Sequence, residues 1–158
     1  MGDLRKLLGS LGFANVTTLL NSGNVVFEAP DESPVAIAAR IRAAVAKKLG
    51  VDAFVLVKTA KDVAAVIGGN KLGKVASDPS RVLVAMTVDA EALAKLAPLA
   101  KTEWKDDVVH LGKHAAYVWC PNGSLQSKAA VALLKNLEES GTTRNWATIE
   151  KIDALLKS

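Results

Sequence analysis

Val16-Thr17-Thr18-Leu19-Leu20-Asn21-Ser22-Gly23-Asn24-Val25-Val26-Phe27 sets two apolar, β-branched runs on either side of a polar turn. Val16 to Leu20 and Val25 to Phe27 suit a pleated surface. Asn21-Ser22-Gly23-Asn24 supplies the positive φ of a tight connection, so the stretch predicts a β-hairpin. Ahead of it Leu4, Leu7, Leu8 and Leu11 recur at helical spacing and Gly12 follows as a stop, which predicts a short amphipathic helix over 3–11. Behind it Pro30-Asp31-Glu32-Ser33-Pro34 forms a loop and helix entry, with Ser33 as N-cap and Pro34 at the first helical position. Ile37, Ile41, Ala44, Val45 and Leu49 are the apolar stripe of that helix, and Gly50 ends it. Ala53 to Val57 then reads as a short apolar strand internal to a sheet.

The order helix, strand, strand, helix, strand is the β-α-β-β-α-β unit of ferredoxin type without its first strand. That strand occupies the middle of such a sheet, and its loss would leave two neighbours with unpaired backbone. Three sources can fill the position: residues ahead of Met1, a strand from the second half such as Val82 to Val88, or a strand of another chain. The first is the expectation.

The second half begins a similar cycle. Thr59 caps a helix through about Ile67, and Gly68-Gly69-Asn70 breaks it and leads into a polar, mobile connection as far as Pro79. Val82 to Val88 is an apolar strand, Asp89 caps a helix over Ala90 to Leu96, and Pro98 closes it. Strands are predicted around Thr102 to Lys105, Val108 to Leu111 and Ala115 to Cys120, with Gly112-Lys113 as the last turn. Ser124 opens a helix ending near Ser140-Gly141. A loop, Thr142 to Thr148, leads to a terminal helix with Ile149, Ile152, Leu155 and Leu156 inside. The expected fold is α+β. It comprises two ferredoxin-like halves, residues 1–80 and 81–158, with mainly antiparallel sheets and helices packed on one face.

Half of the 158 residues are apolar, enough for a core without staples. No run approaches the roughly 18 to 20 apolar residues that span a bilayer, and the first residues lead into a helix and not a signal-peptide core. A soluble cytoplasmic protein with no membrane partner is expected. The single cysteine, Cys120, forms no internal disulfide and reads as a small buried side chain. The net charge is +4, a mild excess that permits anionic partners without requiring them. Ten Lys/Arg oppose seven Asp/Glu up to residue 80 (+3), and ten oppose nine beyond it (+1). Lys58, Lys61, Lys71, Lys74 and Arg81 cluster against only Asp62 and Asp78, either as a basic binding surface or, more plainly, as a solvated helix face and loop.

Three stretches carry candidate ligand-binding residues. Asn122-Gly123-Ser124 with Ser127 and Lys128 lies at a helix start, where free N–H groups and a partial positive charge favour phosphate or carboxylate. The same residues also serve as a turn and an N-cap, and the spacing of a phosphate-binding nucleotide loop is absent. Arg144-Asn145-Trp146 joins a cation, an amide and an aromatic face able to stack on a base, or to anchor and cap the last helix. Ser22 and Asn24 offer a hydroxyl and an amide at a hairpin turn, with no general base identified for Ser22. His110 and His114 lack a third metal ligand, and adjacent Asp106 and Asp107 on a strand face opposite ways, so no metal, cofactor or acid–base constellation is predicted.

Several of these stretches together resemble a bacterial family known as domain of unknown function 1697. They are Met1-x-x-Leu4 with Leu11-Gly12-Phe13, Ser22-Gly23-Asn24-Val25-Val26-Phe27, Pro121-Asn122-Gly123, Ser127-Lys128, and Thr143-Arg144-Asn145-Trp146-x-Thr148. The resemblance implies an α+β fold of duplicated ferredoxin-like plan and no established activity. Members usually carry, ahead of the Met-x-x-Leu position, a strand and loop with Arg-Gly-Ile-Asn, which this sequence lacks. They often have Gly-Arg-Ser-Lys where this chain has Leu125-Gln126-Ser127-Lys128, so a basic side chain is lost at Gln126. Three functions follow as expectations: a module binding an anionic small molecule or nucleic acid, an enzyme acting on a small phosphorylated or carboxylated substrate in a cleft between the halves, or a protein-interaction or oligomerisation domain.

Overall fold

The computed structural model describes residues 2–19, 23–72 and 78–158. The fold is α+β with two antiparallel sheets, and the chain divides into two compact units, residues 1–59 with 154–158 and residues 60–153. No helix among the described residues is long and apolar enough to cross a membrane.

In unit 1, α1 (Gly2–Ser10) leads into β1 (Ala14–Leu19) and β2 (Asn24–Glu28), which pair antiparallel. Their register shifts between Ala14 and Thr17, where Asn15 takes a left-handed φ of 52° and its side-chain amide donates to Glu28. Such a bulge adds twist to a two-stranded ribbon. The connecting residues Leu20, Asn21 and Ser22 lie outside the described residues. α2 (Pro34–Leu49) has the predicted ends. The Ser33 side chain accepts from Ala36 N, Pro34 opens the helix, and Gly50 stops it at φ 68°. Leu7, Leu8, Phe13, Ile37, Ile41 and Val45 make the core of this unit, and Val25, Phe27, Ala53, Val55 and Val57 pack against it. Ala53 to Val57 is not the internal strand expected. Its alternate residues meet the core with an extended period, but no ladder partner for them lies among the described residues.

Unit 2 contains α3 (Ala60–Gly68), β3 (Val82–Thr87), α4 (Ala90–Ala94), α5 (Ala97–Lys101), β4 (Val108–Leu111), β5 (Ala116–Trp119), α6 (Lys128–Leu137), β6 (Gly141–Asn145) and most of α7 (Trp146–Leu156). The sheet order is β4-β5-β3-β6 with every pairing antiparallel. β3 lies between β5 and β6, so the Val82 strand has both edges engaged and does not complete the first sheet.

Directly paired residues share a sheet face. Ala85, Ala116 and Val118 line the face that packs with Leu93, Leu96, Ala129, Ala130, Leu133 and Leu137 of the α4–α6 region, but helices are not confined to this one face as expected. The opposite face holds the row His110, Tyr117, Val84 and Arg144, and it also meets a helix, because the Tyr117 hydroxyl donates to Val66 O of α3 at 2.6 Å.

Four local expectations are corrected. Pro98 does not close a helix; it sits in the first turn of α5, where its missing N–H costs no helical bond. Thr102 to Lys105 is not a strand, and Trp104 instead folds back to donate from Nε1 to Leu99 O. The helix after the Pro121 turn starts at Lys128 with Ser127 as its cap, and Ser124 to Gln126 is a separate 3₁₀ turn. Gly141 to Asn145 is not a loop but the edge strand β6. A Cβ on Gly141 would lie 2.5 Å from Met86 O, so only glycine admits this close strand approach.

Candidate functional site

The start of α6 was the leading anion-binding candidate, and its geometry shows which groups already use it. Ser127 is buried and caps the helix, accepting from Ala130 N at 3.0 Å. Its hydroxyl donates to Asp107 Oδ2 at 2.8 Å, and Ala129 N donates to the same oxygen at 3.4 Å. The Asp107 carboxylate therefore sits where the helix dipole and free N–H groups would hold an external anion. Asn122 is exposed and donates to Asp106 Oδ2 at 3.4 Å, while Lys128 is exposed on the first turn. Burial pushes the Cys120 thiol up; a Ser127 hydrogen bond opposes this and Asp107 adds to it. Arg81 donates to Pro121 O and fixes the turn from below, while pairing with Asp78 at 3.4 Å. Hydrogen bonds from Ser80 hold the Asp78 carboxyl below its usual range, ahead of the Arg81 contribution.

Asp107, which forms no carboxylate pair with Asp106 in the sequence reading, completes this network. The signal lay in a polar acid just before β4, facing a helix start twenty residues later (127 − 107 = 20).

Arg144 lies in the sheet row with Tyr117, on the face away from α6. Its guanidinium donates to Thr142 Oγ1 at 2.9 Å and Thr143 O at 2.7 Å, and burial draws its pKa down. Asn145 accepts from Thr148 N at 2.9 Å, capping α7, and Trp146 is half-buried as the first residue of that helix. The structure thus does not bring Arg144 to Ser127 and Lys128. Asn24, in unit 1, is buried and donates to Leu19 O at 3.2 Å across its hairpin. Ser22 and Lys74 lie outside the described residues. His110 stacks on Tyr117 with ring centroids 5.8 Å apart, His114 is exposed beyond it, and no cluster of metal-holding side chains occurs among the described residues. A cleft of about 550 Å³ in unit 2 is lined by Thr102, Trp104, Asp107 and Val109 among others, and by none of the predicted ligand-binding residues.

A different surface stands out. Leu125 is 96% exposed, Val131 57% and Leu134 53%. Leu133, Leu137, Ala129 and Ala130 turn the other side of α6 into the core, so Val131 and Leu134 share the outward arc with Lys128 and Lys135. Leu125, on the 3₁₀ turn that precedes α6, is exposed as well. Leu125 falls where the polar, turn-like sequence concealed it, and nothing in the sequence separates Val131 and Leu134 from the apolar residues of α6 that face the core.

Comparison with known proteins places the chain. A family described as protein of unknown function (DUF1697) matches residues 1–117. The chain belongs to this family. The DUF1697 match ends before the Pro121-Asn122-Gly123, Ser127-Lys128 and Thr143–Thr148 motifs, so the likeness read from those residues lies outside the matched span. Among solved structures, a conserved bacterial protein from Streptococcus pneumoniae is similar over 100% of this chain and 89% of its own, with a TM-score of 0.79 and 23% identity, which shows a shared fold. No curated protein matches.

Proposed function

We propose that this DUF1697 chain is an interaction module that self-associates through the outward arc of α6. The observation that carries the reading is the pair Val131 and Leu134, exposed on one arc of α6, with Leu125 exposed on the turn that leads into the helix, where scattered single apolar side chains need no explanation. The same arc complements itself. In a two-fold antiparallel contact, Val131 meets Leu134 of the second copy and the Lys128 end of one helix meets the exposed Glu138 end of the other. Opposed helix dipoles favour that arrangement.

Sedimentation equilibrium across a wide protein concentration range is the test. A mass rising toward the dimer, lost in Leu134→Glu, is expected. Lys128→Glu should weaken association, and combining it with Glu138→Lys should restore it. A monomer mass at every concentration overturns the proposal.

A second reading keeps the anionic partner, supported by Lys128 and Lys135 exposed on one arc. It requires binding to nucleic acid or nucleotides that weakens steeply with salt, and salt-independent or absent binding removes it. We also infer a ferredoxin-like plan for unit 1 from the order α1, β1, β2, α2 and the extended segment at 53–57. A cytoplasmic setting suits the buried free thiol of Cys120.

A further inference from the structure

Val108 and Val109 both line the cleft of about 550 Å³ in unit 2. Neighbouring strand residues point to opposite faces, so the cleft runs along the outer edge of β4, whose inner edge pairs with β5. Its volume falls in the range of small-molecule sites, roughly 300–1,000 Å³. Two groups in its lining are held in place by the fold. Trp104 is half-buried, packs against the core around Ala116, Val118 and Leu133, and donates from Nε1 to Leu99 O at 2.8 Å. An indole fixed in this way meets a ligand without losing rotamer freedom. Asp107 is fixed through one oxygen only, since Oδ2 accepts from the Ser127 hydroxyl at 2.8 Å and from Ala129 N at 3.4 Å. Oδ1 takes no donor among the described residues.

We propose that this cleft binds a small organic primary ammonium ion, its head taken by Asp107 Oδ1 and the indole of Trp104 and its apolar body resting on Val108 and Val109. The lining selects the sign of the ligand. A carboxylate oxygen with open lone pairs accepts from an ammonium N–H, and an indole attracts a cation more strongly than any other aromatic side chain. Glu103 adds a second acid to the lining against one cation, Lys105, so the cleft is net negative in a chain whose net charge is +4. An anion would meet two carboxylates and the negative face of the ring, which sets this site apart from the phosphate or carboxylate ligands expected at the start of α6. The apolar wall of Val108 and Val109 favours a cation carrying a hydrocarbon body over an inorganic one.

The test titrates the full chain with n-butylammonium, n-butanol and n-butyrate at constant ionic strength, three probes with one hydrocarbon body and different heads, followed by proton–nitrogen NMR. The Trp104 indole N–H and the Val108 and Val109 amides should shift and saturate with n-butylammonium alone. Trp104→Leu should weaken binding about fivefold. Asp107→Asn keeps an acceptor for Ser127 and Ala129 and should weaken it about tenfold. Glu103 and Lys105 are exposed, so their variants leave the fold intact. Glu103→Gln should weaken binding about twofold and Lys105→Glu should strengthen it about threefold at low salt. Leu134→Glu should leave the titration unchanged, which separates this site from α6. Absence of saturation with n-butylammonium, equal shifts from butanol or butyrate, or unchanged or weaker binding in Lys105→Glu overturns the proposal.

Discussion

Gly69→Ala is expected to destabilise unit 2 in the native background and to lose that effect once Tyr117 is replaced by phenylalanine. The Tyr117 ring is fully buried, and its hydroxyl donates to Val66 O at 2.6 Å. A Cβ on Gly69 would lie 2.7 Å from that hydroxyl, 3.3 Å from Ala65 O and 3.7 Å from Tyr117 Cζ. Escape is restricted, because His110 stacks on the ring and a Cβ at Gly112 would already be 3.0 Å from its Cε2. Overpacking of this kind costs about 1–3 kcal/mol. Gly69 is not among the positive-φ glycines, so alanine also gains about 0.4–1 kcal/mol from a less disordered unfolded chain.

The net loss is then about 1–2 kcal/mol, or roughly 2–8 °C in melting temperature at this size. Tyr117→Phe by itself removes a buried hydrogen bond at about 1 kcal/mol, and Val66 O keeps the longer bond from Gly69 N at 3.3 Å. In the double variant the closest ring atom is the 3.7 Å carbon, an ordinary contact, and the one tight neighbour left is Ala65 O at 3.3 Å, the carbonyl to which Gly69 N already donates, so alanine becomes nearly neutral. Urea unfolding of the four proteins, read by far-ultraviolet circular dichroism, gives the coupling directly, expected at about 1–2 kcal/mol. An equal cost of Gly69→Ala in both backgrounds would refute the contact as its source.

Tyr117 is the only tyrosine, and burial pushes its phenol up to about 12. The folded state therefore holds this proton longer than the unfolded state. Its stabilising contribution is complete below about pH 10 and falls as pH rises toward 12, by up to about 1.4 kcal/mol per pH unit, visible as a late phenolate absorbance rise coupled to alkaline unfolding. Ser127→Ala removes the α6 cap and the Asp107 partner together and should cost about 1–2 kcal/mol in urea unfolding. Gly50→Ala should cost about 1 kcal/mol by thermal melting although nothing lies within reach of a new Cβ, because φ is 68°, and Gly50→Asn should recover part of it.

Elements whose determinants are local were legible in the sequence. α2 needed only Ser33, Pro34, its apolar stripe and Gly50, and these act as read except at Leu49, which ends the stripe exposed. The hairpin strands and the Asp89 cap were equally visible. β6 was not, since Gly-Thr-Thr-Arg-Asn has little apolar content and becomes a strand through pairing with β3, more than fifty residues earlier in the chain (141 − 87 = 54). Ala53 to Val57 failed in the opposite direction. Its composition is that of a strand, but a ladder needs a neighbour, and composition says nothing about whether one is present.

The candidate site failed for a reason that applies to any helix start. A free N–H at the first turn is satisfied equally well by a ligand phosphate, a capping hydroxyl or a carboxylate from elsewhere in the fold. Local sequence shows the donors, and it cannot show which acceptor reaches them first. Asn122, Ser127 and Lys128 display the donor side, but Asp107 arrives from the approach to β4 and takes the position at Ser127 and Ala129. Asn145 repeats the pattern at α7, where a residue suited to gripping a ligand caps its own helix instead. Polar residues at an element boundary are thus ambiguous by chemistry, whereas a leucine left 96% exposed on the turn before α6 has no internal task to account for it. That asymmetry is why the apolar arc, and not the polar turn beside it, carries the functional reading.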